Sequence, residues 1–163
     1  MNTQGTRSSD PALAHLPGLL PELEALYTDV HAHPELSMQE TRTAGLAADR
    51  LRAAGYDVTT AIGKTGVVGV LRNREGPTVM LRADMDALPV EEATGLPYAS
   101  KITATDRDGK TVPVMHACGH DMHVAWLVGA TTLFAQARDT WQGTLMAVFQ
   151  PAEETNGRRP GHD

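Results

Sequence analysis

The stretch "VMHACGHDMHVAW", residues 114–126, holds the chain's one cysteine, Cys118, three of its seven histidines, His116, His120 and His123, and the carboxylate of Asp121. Thiolate and imidazole are the ligands that Zn²⁺ and its transition-metal neighbours prefer. His116, Cys118 and His120 alternate, so an extended segment turns all three to one side. His120 and His123 stand three apart, which suits one helical face instead. A strand or loop entering a helix near Gly119 to Asp121 brings Cys118 and His120 together at the helix N-terminus. The helix dipole and unpaired N–H groups there favour a thiolate. A lone cysteine is ordinarily a small buried hydrophobe, and lone histidines are ordinarily satisfied polar groups. Their clustering favours a metal site with Cys118 and His120 as ligands. His116 and His123, taken singly, read as supporting or structural groups.

Such a cluster does not complete a site, because a metal wants four or more ligands and a catalytic one keeps a position open. Two acidic motifs offer the rest. "RADMD" places Asp84 and Asp86 after an apolar run, and "FQPAEE" places Glu153 and Glu154 after another. In open parallel sheets, ligands bind beyond the carboxyl ends of the strands. Adjacent glutamates diverge, so one can ligate while the other takes a proton from water. An isolated Glu-Glu pair is usually solvated loop; its place after a strand and Pro151 gives this one a role.

The elements that must position these groups follow from periodicity. Leu19, Leu20, Leu23, Leu26 and Tyr27 predict a helix from about Pro21 to His31. Ser37 and Glu40 form the S-x-x-E pattern of a capping box. They open a second helix with Leu46, Ala47 and Leu51 on one face and Gly55 as its stop. "YDVTTAI" and "GVVGVLR" predict strands, and "PTVMLRADMDALP" predicts a buried strand over Val79, Met80 and Leu81 that breaks into acidic, turn-like chain. Residues 91–113 look irregular, with a turn at Asp106, Asp108 and Gly109. From Asp121 a helix follows, with Trp126, Leu127, Ala130 and Phe134 on its buried face, and then the strand "GTLMAVFQ". Helices alternating with apolar strands predict an α/β fold, a mostly parallel sheet flanked by helices.

Composition bounds the function. The 163 residues suffice for one domain, and 41% are hydrophobic,. The net charge is −6 and the longest basic run is Arg158-Arg159. Nucleic acid is therefore excluded as a partner, because phosphate binding needs clustered positive charge. One cysteine allows no internal disulfide. No apolar stretch has the length of a membrane span, and the start lacks the pattern of a signal peptide. The expectation is a cytoplasmic protein with no membrane partner.

"LRADMDALPVEEATGLPYAS", "MHACGHDMH" and "VFQPAEE", in this order and spacing, closely resemble the metal-dependent amidohydrolases of the aminoacylase/carboxypeptidase superfamily. The subgroup is that of hippurate hydrolase, N-acyl-amino-acid amidohydrolases and auxin-conjugate hydrolases, and "HAHPELSMQET" is similar to it as well. The resemblance covers about residues 20–154. It implies the N-terminal portion of a dinuclear metallopeptidase-like catalytic domain, with two divalent metal ions (Mn²⁺, Zn²⁺, Ni²⁺ or Co²⁺). It implies Cys118 as the ligand bridging the metals, His120 and Glu154 as terminal ligands, and Glu153 as general base. Asp86 matches an acidic position that orients its neighbours. Asp84 stands where related branches carry a histidine ligand and is not read as a ligand. The implied reaction is hydrolysis of the amide bond of a small N-acyl amino acid or related amide.

Three segments result: a loose tail over residues 1–14, a partial catalytic α/β domain over 15–154, and a tail over 155–163. The last, "TNGRRPGHD", departs from the family pattern in the manner of a frameshift or premature stop. The family's further histidine ligands and its lid and dimerisation domain are absent from the sequence, and His162 lacks the context of a ligand. A homo-oligomer is expected only of a full-length form. Two alternatives compete with the amidohydrolase. One is a non-catalytic truncated product or metal-binding module. The other is a cysteine hydrolase using Cys118, for which no oxyanion-hole signature is evident and in which Glu153 and Glu154 have no part. The first reading predicts little or no hydrolysis of N-acetyl and N-benzoyl amino acids by the 163-residue chain with added Mn²⁺ or Zn²⁺; turnover at an ordinary enzymatic rate contradicts it.

Overall fold

The structure is a computed structural model and describes residues 10–155. The expected tails therefore lie mostly outside the described residues, as does His162. Pro11–Leu13 form a 3-10 turn capped by the Asp10 carboxylate. Helix α1 spans Leu16–Ala32 and carries Pro21 inside it. Helix α2 is Thr41–Ala53. Strands β1 (Asp57–Ile62), β2 (Gly66–Asn73) and β3 (Thr78–Asp84) follow, then the short hairpin of β4 (Thr103–Thr105) and β5 (Thr111–Pro113). Helix α3 (His120–Gln136) and strand β6 (Gly143–Gln150) complete the unit.

The main sheet runs β1-β2-β6-β3. The α/β class holds, but the sheet is mixed rather than mostly parallel. Only β3 and β6 pair in parallel; β1–β2 and β2–β6 are antiparallel. The reason is connection length. Three residues join β1 to β2, which permits only a hairpin, whereas β3 reaches β6 through α3, the crossover a parallel pair requires. Apolar content predicted buried strands and could not give their direction.

β6 alternates strictly: Leu145, Ala147 and Phe149 are buried and Thr144, Met146 and Val148 half-buried. The buried set meets Leu51 and Ala47 of α2 and Val124, Leu127 and Val128 of α3 in one core. Burying a side chain such as Phe149 stabilises the fold by roughly 2–3 kcal/mol. Trp126, expected on the buried face of α3, is 63% exposed. Asp121, Val124, Leu127, Val128 and Thr131 take the inner face instead. β3, expected to be buried, has among the described residues a strand partner on one side only, and Val79 and Met80 are exposed on it. The segment read as irregular contains the β4–β5 hairpin, turned at Asp106, whose carboxylate accepts from the Asp108 and Lys110 amides.

The capping box does not form. The Glu35 carboxylate caps α2, accepting from the amides of Arg42 (2.9 Å) and Thr43 (2.8 Å). That frees Ser37 and Glu40 for contacts far away in sequence, described below.

The parallel pair sets the site. Asp84 at the end of β3 is in register with Gln150 at the end of β6. "RADMD" and "QPAEE" therefore leave the sheet at the same edge. Gly143 starts β6 at φ 116°, and a Cβ there would sit 2.2 Å from the Pro77 carbonyl oxygen. We expect Gly143→Ala to destabilise the protein by about 2 kcal/mol or more, measured by urea unfolding. An unchanged midpoint contradicts this account of how β6 is launched.

Candidate metal centre

Gly119 adopts the left-handed conformation (φ 80°) immediately before α3. It turns the chain so that His120 opens the helix and Cys118 lies just outside it, as the spacing suggested. His120 is 5% exposed. Its Nδ1 lies 2.8 Å from the Asp86 carbonyl oxygen and 3.4 Å from Asp86 Oδ1. Nδ1 therefore donates its proton, which leaves Nε2 as the nitrogen able to ligate once the ring is neutral. That Nε2 stands 3.9 Å from Glu153 Oε2 and 4.0 Å from Glu154 Oε1.

These separations are too long for hydrogen bonds and suit ligands disposed about one cation, since metal–nitrogen and metal–oxygen bonds are about 2.0–2.2 Å each. His120, Glu153 and Glu154 each offer a ligand atom within 4.8 Å of the others. The residues present thus fit a divalent ion. Cys118 is exposed and beside them. The Glu154 carboxylate, which accepts a hydrogen bond from the thiol, raises the thiol pKa, and burial and the nearby acids add to this, to about 11. The acids around the thiol thus oppose the thiolate that the helix dipole favours. A cation among them is the group that would restore the thiolate.

Asp86 organises the site. It is 1% exposed and accepts from Ser37 Oγ (2.6 Å), the Glu153 amide (3.1 Å) and the Glu154 amide (3.0 Å). Burial alone would raise its pKa; the bonds from His120, Ser37 and the two amides outweigh burial and lower it to about 2. The reciprocal effect, Asp86 acting against burial, raises His120 to about 9. Glu40, fully buried, accepts from Thr65 Oγ1 (2.6 Å) and the Ala152 amide (2.9 Å). It anchors the strained Ala152 (φ 55°) next to Glu153. Sequence reasoning took Glu40 for a cap; its signal was the S-x-x-E pattern, read with the wrong partners.

A second network was missed altogether. His31 of α1 is buried, with Nδ1 2.6 Å from Asp121 Oδ2 and Nε2 3.1 Å from Glu92 Oε1. Glu92 also accepts from the Ser100 amide and Thr94. It fixes the first turn of α3 from behind. Beside it His116, also buried, has neither ring nitrogen bonded among the described residues. Burial, against the pull of Asp121, lowers the His116 pKa to about 4, which keeps the ring neutral.

Residues 80–162 match the peptidase family M20/M25/M40, and the chain belongs to that family. It is 47% identical over 130 residues to thermostable carboxypeptidase 1 of Saccharolobus solfataricus, which covers 78% of this chain and 31% of that protein. It is 45% identical over 137 residues to hippurate hydrolase of Campylobacter jejuni, covering 83% and 33%. A dinuclear metal-binding M20 peptidase from Bacillus subtilis superposes with a TM-score of 0.74 at 38% identity, over 85% of this chain and 36% of that one. The chain spans about a third of the length of the curated relatives it matches. Among the described residues, no helix is long and apolar enough to cross a membrane.

The His31 network gives a pH test. Burial would lower the His31 pKa, but the bonds to Asp121 and Glu92 outweigh it and raise it. Its contribution to stability is full below the ordinary histidine value of about 6.5 and is lost as pH rises through the folded value. We expect His31→Leu to cost about 3 kcal/mol near pH 6, with the gap to wild type narrowing towards pH 9. Urea midpoints at both pH values check it; a gap that widens with pH contradicts the pairing.

Proposed function

We propose that this chain carries the metal-binding and proton-transfer half of a metal-dependent amidohydrolase acting on small N-acyl amino acids. The observation that carries this reading is the unbonded His120 Nε2 facing two carboxylates at 3.9 and 4.0 Å. Cys118, His120 and Glu154 would hold two divalent ions, from among Mn²⁺, Zn²⁺, Ni²⁺ and Co²⁺. A bound divalent ion supplies Lewis acidity, polarising an amide carbonyl and acidifying water.

The chain's own residues do the rest. Glu153, the more exposed of the pair, takes a proton from the attacking water and passes it to the leaving amine. Asp86 holds His120 in the tautomer that leaves Nε2 free, and its two oxygens fix the Glu153 and Glu154 amides,. Hydrolysis by relatives such as hippurate hydrolase, so named, supports the substrate class. Residues 15–154 act as the partial catalytic domain, in a reducing cytoplasm where the lone thiol stays free.

Isothermal titration with Mn²⁺ tests the assignment. We expect His120→Gln and Glu154→Gln to weaken Mn²⁺ binding at least about tenfold. Glu153→Gln should leave it within about threefold while lowering any residual hydrolysis of N-acetyl amino acids by about 10² or more. Mn²⁺ affinity indifferent to both His120→Gln and Glu154→Gln overturns the ligand assignment.

A further inference from the structure

Asp84 closes β3 at 6% exposure. Arg82 holds its Oδ2 at 3.1 Å, but Oδ1 is buried with no partner among the described residues. A buried carboxylate oxygen left unpaired is costly, and such atoms call for a ligand or an ion. The Asp84 carboxylate lies within reach of two imidazoles. Asp84, His120 and His123 each offer a ligand atom within 4.8 Å of the other two. His123 lies one turn beyond His120 on α3, their ring centroids 5.4 Å apart, as i, i+3 spacing requires. Two helical imidazoles and one carboxylate are a donor set for Zn²⁺ or Co²⁺, and a poor one for Mg²⁺ or Ca²⁺, which take oxygen.

We propose that Asp84, His120 and His123 form a second, alternative seat for a soft divalent cation, exclusive of the Glu153/Glu154 seat because both draw on one nitrogen. His120 Nδ1 is committed to the Asp86 carbonyl, so Nε2 alone is free, and one imidazole nitrogen ligates one cation. The exclusivity rests on the proposed role of Glu154; the Asp84 seat itself does not. Both seats suit Zn²⁺ and Co²⁺, the Glu154 seat through the Cys118 thiolate and this one through its two imidazoles, so they differ in which residues hold the ion. A Zn²⁺ or Co²⁺ ion on Asp84 and His123 takes His120 away from Glu153 and Glu154.

The test is Co²⁺ titration of the 163-residue chain, followed by visible d–d absorption and by calorimetry. In the Glu153→Gln/Glu154→Gln background we expect one Co²⁺ per chain to bind still. Adding Asp84→Asn, or separately His123→Gln, should weaken it at least about tenfold, with circular dichroism confirming that each variant is folded. Loss of all Co²⁺ binding in the double variant overturns the proposal and leaves the Glu154 reading standing. So does residual Co²⁺ binding indifferent to both Asp84→Asn and His123→Gln, which would place the ion on Cys118 and His120. Conversely, Co²⁺ and Mn²⁺ binding that is abolished by Asp84→Asn and untouched by Glu154→Gln supports this seat and removes the Glu154 one.

Discussion

The site depends on one buried carboxylate. Asp86 follows β3, yet its two oxygens receive the hydroxyl of Ser37, which precedes α2, and the amides of Glu153 and Glu154, which follow β6. Its carbonyl oxygen and Oδ1 meet His120 at the start of α3. Four segments of the chain therefore converge on one residue. An acid in such a place would be costly to ionise if unpaired. Here the donors hold it charged, with its pKa lowered to about 2. The same bonds set the tautomer of His120 and aim the free nitrogen at the glutamates.

Two outer networks stiffen this hub. Glu40 ties the β1–β2 turn, through Thr65, to the backbone just before Glu153. His31 ties α1 to the first turn of α3 through Asp121 and to the loop after β3 through Glu92. Both put a charged or chargeable group in the interior, which is tolerated because every such group has partners. The unbonded atoms stand out against that rule. Among the described residues they are Thr43 Oγ1, Asp84 Oδ1 and both nitrogens of His116, and Asp84 is within ligating reach of His120.

Much of this was legible in the sequence, and particular residues show why. Cys118, His120, Glu153 and Glu154 announce themselves by type and by short spacing, and a strand before each acidic motif predicted where it would leave the sheet. The parallel pairing of β3 with β6 bore that out. The rest depends on contacts between residues far apart. His31 and Asp121 are 90 positions apart, and Glu40 and Ala152 are 112 apart; no local pattern encodes such a pair. Ser37 and Glu40 matched a local rule and were drawn away from it by tertiary partners, while Glu35 capped the helix. Strand direction failed for a related reason. An apolar run gives burial, and only the length of the connection gives the sense of pairing.

The central claim is that His120 Nε2 and Glu154 hold a divalent ion with the thiol of Cys118. A crystal of the chain soaked with Mn²⁺ and measured for anomalous scattering tests it most directly. The account predicts a peak bonded to His120 Nε2 and a Glu154 oxygen, in contact with Cys118 Sγ. An Mn²⁺ peak that touches none of the three, or a fully occupied crystal with His120 still unligated, would contradict it.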